Sequence, residues 1–189
     1  MDTKKSEHSA LSTKTPSAQF LYAKRNEILD AWMKRVKAEV ATAAELLNPV
    51  VIDTIPLFLD GLSEALCEEC TRETATESSN MAQEHGGERA RVTRYGPEQI
   101  IQEYQILQNI VRHTITAVIP LHETESDIIQ KSFDKALQEA MISFFLVHGR
   151  LREQFVAGLT HDLRNPIGGI TQLLAIMDEE QLEPKEEVR

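Results

Sequence analysis

The sequence predicts an all-α protein. Apolar residues recur at three- and four-residue spacing over most of the chain, and prolines stand where helices would start or stop. No segment alternates apolar and polar residues for long enough to make a strand. Composition agrees: of 189 residues, 41% are hydrophobic and 26% charged, enough apolar material for one or two domains with a core. Thirty acidic residues against 20 basic ones give a formal charge of -10, which argues against nucleic acid or anionic lipid as a partner, because phosphate contacts need a basic surface. The longest nearly unbroken apolar run, Met141 to Val147, falls far short of the ~20 residues of a membrane span. The polar N-terminus MDTKKSEHSALSTKTPSAQ has no following apolar core of the signal-peptide kind, so a cytoplasmic protein without a membrane span is expected.

Residues 1–17 are rich in Ser, Thr and Lys and are expected as a flexible tail, ahead of a helical sensory domain over 18–150. Leu21, Ile28 and Trp32, with a neighbouring row of Leu29, Met33, Val36 and Val40, predict a helix from about Phe20 to Leu47 that Asn48-Pro49 ends. Val51, Ile55, Leu59, Leu62 and Leu66 predict a second from about Val50 to Arg72. Pro56 is tolerable there only near a first turn, a place where the segment can divide into a short turn and a main helix. Residues 74–96 hold few large apolar groups and the pair Gly86-Gly87, and read as a long loop with room for one helical turn. Pro97 opens the clearest periodic segment, Ile100, Tyr104, Leu107, Val111, Ile115 and Val118, which Pro120 ends.

After the HETES turn, with Ser126 as candidate N-cap, Ile128, Ile129, Phe133, Ala136, Ala140, Phe144, Val147, Leu151 and Phe155 continue without a proline until Pro166. That predicts a helix of roughly forty residues, long for a globular domain. Its first half is expected in the input core and its second half in a dimer seam, with Ile170, Leu173, Leu174 and Met177 resuming the spacing beyond Pro166.

Cys67 and Cys70 stand at C-x-x-C spacing, which on a helix puts both thiols on one face, suited to a metal or a reversible oxidation; two packing cysteines are the blander and favoured reading. His85 lies among Gly86, Gly87, Glu88, Arg89 and Arg91, a patch that could hold an anion but reads first as a solvated loop. His113 invites a haem-ligand reading that nothing else in its helix supports, and His148 and Arg150 are expected exposed near the domain exit.

The stretch Phe155-Val-Ala-Gly-Leu-Thr-His161-Asp162-Leu163-Arg164-Asn165-Pro166-Ile167 is, on its residues alone, a helix with an imidazole beside a carboxylate, a polar amide one turn on, and a proline that removes a backbone donor. A solvated His-Asp pair satisfies that description. The run F-x-x-x-L-T-H-D-L-R-N-P-I, however, resembles the H-box of sensor histidine kinases at nearly every position. The resemblance implies that His161 is the phosphoacceptor on the first helix of a dimeric four-helix bundle over 151–189, that Asp162 is the general base, and that Asn165 positions water for dephosphorylation of a response regulator. Arg164 matches the basic position, Pro166 the helix bend, and Thr160 replaces the usual serine.

The second bundle helix and the ATP-binding domain of that family are not in the sequence, and no nucleotide motif occurs. The chain is therefore expected to be part of a longer kinase, inactive alone, with no cofactor of its own and with ATP and Mg held by the parent's catalytic domain. Homodimerisation and a response-regulator partner follow from the same resemblance. More weakly, EILDAWMKRVKAEV, IPLFLDGLSEAL and HGGERARVTRYGPEQIIQEYQILQNIVRHTI resemble the N-terminal input domain of stressosome-type co-antagonist proteins, whose relatives have a globin-like helical arrangement without haem. The alternatives are a non-catalytic signalling adaptor or phosphotransfer protein, and a redox or metal sensor using Cys67 and Cys70.

Overall fold

A computed structural model describes residues 15–67, 72–92 and 94–182, the stretch 175–182 as backbone only. The described residues form seven helices and no strand: α1 Pro16–Glu39, α2 Ala41–Ala44, α3 Asn48–Ile52, α4 Ile55–Ala65, α5 Met81–Arg91, α6 Pro97–Thr116 and α7 Glu123–Leu182. Packing divides the chain into two units, 1–148 and 149–189.

Four helices place a proline in the first turn, at Pro16, Pro49, Pro56 and Pro97, where the missing N–H has no intrahelical partner to lose. Thr15 caps α1, its Oγ1 accepting from the Ala18 N–H at 3.2 Å and donating to the Leu66 carbonyl at 2.8 Å. The tail expected over 1–17 therefore ends earlier: Pro16 and Ser17 already belong to α1, and Ser17 is buried with its hydroxyl on Glu125. Residues 1–14 lie outside the described part.

Leu21, Ile28, Trp32 and Val36 form the buried face of α1, which packs on α4 and α6. The helix stops at Glu39, short of Leu47, because Val40 turns extended, and α2 takes up only four of the remaining residues. The expected helix from Val50 to Arg72 is divided, as Pro56 allowed, but more sharply. Asp53 at φ 44°, ψ -122° and Thr54 at φ -91°, ψ 1° are the corner residues of a type II′ turn between α3 and α4, a position that glycine usually holds. Thr54 Oγ1 secures the turn by donating to the Met81 carbonyl at 2.8 Å. Helix α4 then ends at Ala65, before both cysteines.

The largest departure is α5, where the composition of residues 74–96 suggested a loop. Eleven of those residues are helical. A Cβ on Gly86 would lie 1.9 Å from the Ala140 carbonyl oxygen, so the glycine that reads as a helix breaker is the residue that lets two backbones meet. Periodicity missed this helix because, after Met81, its buried face is made of His85, Gly86, Gly87, Arg89 and alanines rather than large apolar groups.

Helix α6 buries Ile100, Tyr104, Leu107, Val111 and Ile115 as expected but ends at Thr116, leaving Val118 exposed. Helix α7 starts at Glu123, so Ser126 lies in its first turn and is not its cap; the Glu125 carboxylate instead accepts from the His122 N–H at 2.9 Å, half of a capping box. Ile129, Phe133, Ala136, Ala140 and Phe144 of α7 complete the core of the first unit, with the Phe58 ring edge-on to Phe133 at 4.9 Å and to Tyr104 at 6.2 Å. The helix runs on for 60 residues in all, through Pro166.

Candidate functional site

Every residue from Leu151 to Leu174 is exposed. Within that stretch the Thr160 hydroxyl bonds back to the Val156 carbonyl at 2.8 Å, which removes it from competition with its neighbour. His161 follows with its Nδ1 3.3 Å from Asp162 Oδ1, the two side chains being 76% and 79% exposed. A contact so exposed contributes little to stability. Its chemical effect is different: a carboxylate that holds the Nδ1 proton leaves the lone pair on Nε2, the nitrogen then able to act as a nucleophile. Asn165 lies one turn beyond His161, and Pro166 has no N–H to offer the Asp162 carbonyl.

Phe155, Val156, Leu159, Leu163, Ile167, Ile170, Leu173 and Leu174 are all large, apolar and between 46% and 66% exposed. At the helical increment of 100° per residue they fall within an arc of about 120°, and His161 lies about 180° from the middle of that arc. Asn165 is about 40° from His161 on the same polar side. The segment thus presents an apolar stripe and, on its back, the imidazole and the amide, while Asp162, about 80° from the middle of the stripe, flanks its edge and reaches the ring from the side.

The other candidates fall elsewhere. Cys67 is buried just past the end of α4, its N–H on the Glu64 carbonyl at 3.0 Å, so it is not on a helix face that could carry a C-x-x-C pair; Cys70 lies outside the described residues. No group of three or more His, Cys, Asp or Glu suited to a metal ion occurs among the described residues. His113 is on the exposed face of α6, which is no place for a haem ligand. His148 and Arg150 are exposed, the His148 ring stacked at 5.7 Å on Phe144.

His85 and Arg89 overturn the reading of a solvated, anion-holding loop: both side chains are fully buried on α5. His85 Nε2 lies 2.9 Å from Glu103 Oε2 and Nδ1 3.2 Å from Asp53 Oδ2. Arg89 Nε donates to both Glu103 oxygens at 3.2 and 3.1 Å, while its Nη1 and Nη2 donate to the Val50 and Val51 carbonyls at 2.9 and 2.8 Å near the end of α3. The Tyr95 hydroxyl donates to Glu103 at 2.5 Å, and the Trp32 indole N–H donates to the Glu103 backbone carbonyl at 3.0 Å. Burial alone would raise the Glu103 carboxyl, but the hydrogen bonds and charges of His85 and Arg89 hold it below the ordinary value. Burial, then the Glu103 charge, push the Tyr95 phenol well up. The sequence signal for this cluster was the i, i+4 spacing of His85 and Arg89 together with a charged Glu103 inside the apolar row of α6.

Compared with protein-family models, with curated proteins and with solved structures, the chain matches none.

Proposed function

We propose that the chain is the sensory and phosphoacceptor portion of a cytoplasmic two-component sensor histidine kinase, with His161 the residue that carries phosphate. The observation that carries this reading is the H-box run from Phe155 to Ile167 lying on an exposed helix with His161 on the face opposite the apolar stripe. Two copies joined through the stripe would leave both imidazoles outward, open to an ATP-binding catalytic domain and then to a response regulator. Nε2 attacks the γ-phosphorus of ATP, ADP leaves, and the Nδ1 proton of the resulting phosphoimidazolium passes toward Asp162, so that charge does not accumulate on the ring. Asn165, on the same side, is the residue this reading assigns to hold the water that later dephosphorylates the regulator's aspartate. ATP and Mg are supplied by the catalytic domain of the parent protein, and this chain contributes the acceptor and its orientation.

The test is phosphorylation in trans. Incubated with a histidine-kinase catalytic domain, Mg and γ-labelled ATP, the chain gains acid-labile label, and His161→Gln gains none. Label that persists in that variant overturns the assignment; label transferred only from an unrelated kinase's phosphodonor would favour the adaptor reading.

A further inference from the structure

The buried cluster in the first unit is balanced in charge: Asp53 and Glu103 against His85 and Arg89. The balance depends on one proton. A carboxylate only accepts hydrogen bonds, and His85 faces a carboxylate oxygen with each ring nitrogen, so both contacts are satisfied only while the imidazole carries a proton on each. Arg89 is permanently charged and is committed to Glu103 and to the Val50 and Val51 carbonyls, leaving it no spare role at Asp53. The groups facing His85 come from each neighbouring element: Asp53 from the α3–α4 turn, Glu103 and the Tyr104 ring edge from α6, and Arg89 from α5 itself. Tyr95, from the segment before α6, reaches the cluster through its hydroxyl on Glu103 and its ring under the Arg89 guanidinium at 5.4 Å, and from α7 the Glu139 charge is felt at Tyr104.

Two mechanical features make that proton consequential. Asp53 sits in a positive-φ conformation that a side chain strains, and the salt bridge to His85 is its side chain's tie across the turn. On its other face α5 meets α7 backbone to backbone at Gly86 and Ala140, with no side chain between to absorb a shift. We propose that His85, Asp53, Glu103 and Arg89 form a proton-operated latch that sets how tightly α5 is held against α6 and the α3–α4 turn, and through Gly86 against α7. With the imidazolium present the latch is closed; loss of its proton leaves one ring N–H between two carboxylates and the cluster with one negative charge in excess, and α5 loosens. The device is independent of the phosphoacceptor assignment, since no step of it involves His161.

The chain supplies its own reporter, because its single tryptophan, Trp32, donates to the backbone of Glu103. Amide hydrogen exchange over α5, corrected for the intrinsic effect of pH, and Trp32 emission are measured from pH 5.5 to 8.5 on the intact chain. Opening of α5 is expected to increase with pH by up to about tenfold per pH unit, the limit for one coupled proton, with Trp32 emission changing over the same interval. His85→Gln removes the step. If that variant does not fold, Asp53→Asn decides: asparagine tolerates the turn and can pair with a neutral ring, so the step shrinks while the fold stays. His113→Gln, on the exposed face of α6, keeps it. A flat profile in the unaltered chain, an unchanged step in His85→Gln or Asp53→Asn, or a step lost in His113→Gln overturns the latch.

Discussion

Gly86 and Ala140 touch through their backbones: a Cβ on the glycine would sit 1.9 Å from the alanine's carbonyl oxygen and 2.5 Å from its carbonyl carbon. No rotamer relieves such a clash, so Gly86→Ala must push α5 away from α7. It is expected to lower the stability of the first unit by about 2–3 kcal/mol, the upper range for overpacking, in urea titrations followed at Trp32. Gly149→Ala, which meets no atom within 4 Å, is the control and is expected to be neutral or stabilising by up to about 1 kcal/mol through helix propensity.

Glu103 is the acceptor on which the whole buried cluster converges. Glu103→Gln leaves Arg89 a buried cation without a carboxylate partner and His85 with Asp53 alone, and is expected to cost about 3–5 kcal/mol. The same carboxylate predicts an acid limit. Its folded value lies below the ordinary 4.5, so its contribution is fully present above pH 4.5 and is lost as pH falls through the lower folded value. The urea midpoint of the unaltered chain should drop steeply below pH 4.5. In Glu103→Gln that part of the drop should be missing, and an identical acid profile in the two proteins would remove Glu103 as its cause.

Asp53 separates strain from interaction. Asp53→Ala keeps the unfavourable backbone and loses the His85 contact, whereas Asp53→Gly loses the contact but relaxes the turn. The alanine variant is expected to be less stable than the glycine variant by about 1 kcal/mol. Equal stabilities would mean that the turn stores no strain.

What the sequence made legible divides along one physical line. Helices whose buried face is large and apolar, such as α6 with Ile100, Tyr104, Leu107 and Val111, announce themselves by period, and the proline starts follow from backbone chemistry. Helix α5 does not, because after Met81 its buried positions hold glycine, alanine and paired charges, whose tolerance for burial depends on Ala140, Asp53 and Glu103, partners 14 or more residues away. The H-box was legible as a pattern of residue types; the opposition of His161 to the apolar stripe follows from the helical phase of the same residues once α7 is known to continue through Pro166. Cys67 is buried, as the favoured reading of a packing cysteine had it; the helix that would have given it and Cys70 a shared face ends two residues before it.

The apolar stripe itself yields the last prediction. Phe155, Leu159, Leu163, Ile167 and Ile170 are each about half exposed or more, and a contiguous apolar row of this length in water is costly unless a second surface covers it. A second copy of the same helix is the partner the proposed function requires. Val147 is not a suitable site for testing that seam, since it packs against the core of the first unit near Gly87, but Leu159 and Leu163 lie wholly within the exposed stripe. Light scattering should give a dimer for the unaltered chain and a monomer for the double variant Leu159→Glu, Leu163→Glu. Because both residues belong to the second unit, the Trp32 unfolding transition of that variant should stay where it is. His161, about 180° away on the helix, should still accept label in trans if the catalytic domain reads the imidazole face alone. A monomer already in the unaltered chain, at concentrations up to the millimolar range, would show that the stripe is not a seam between copies.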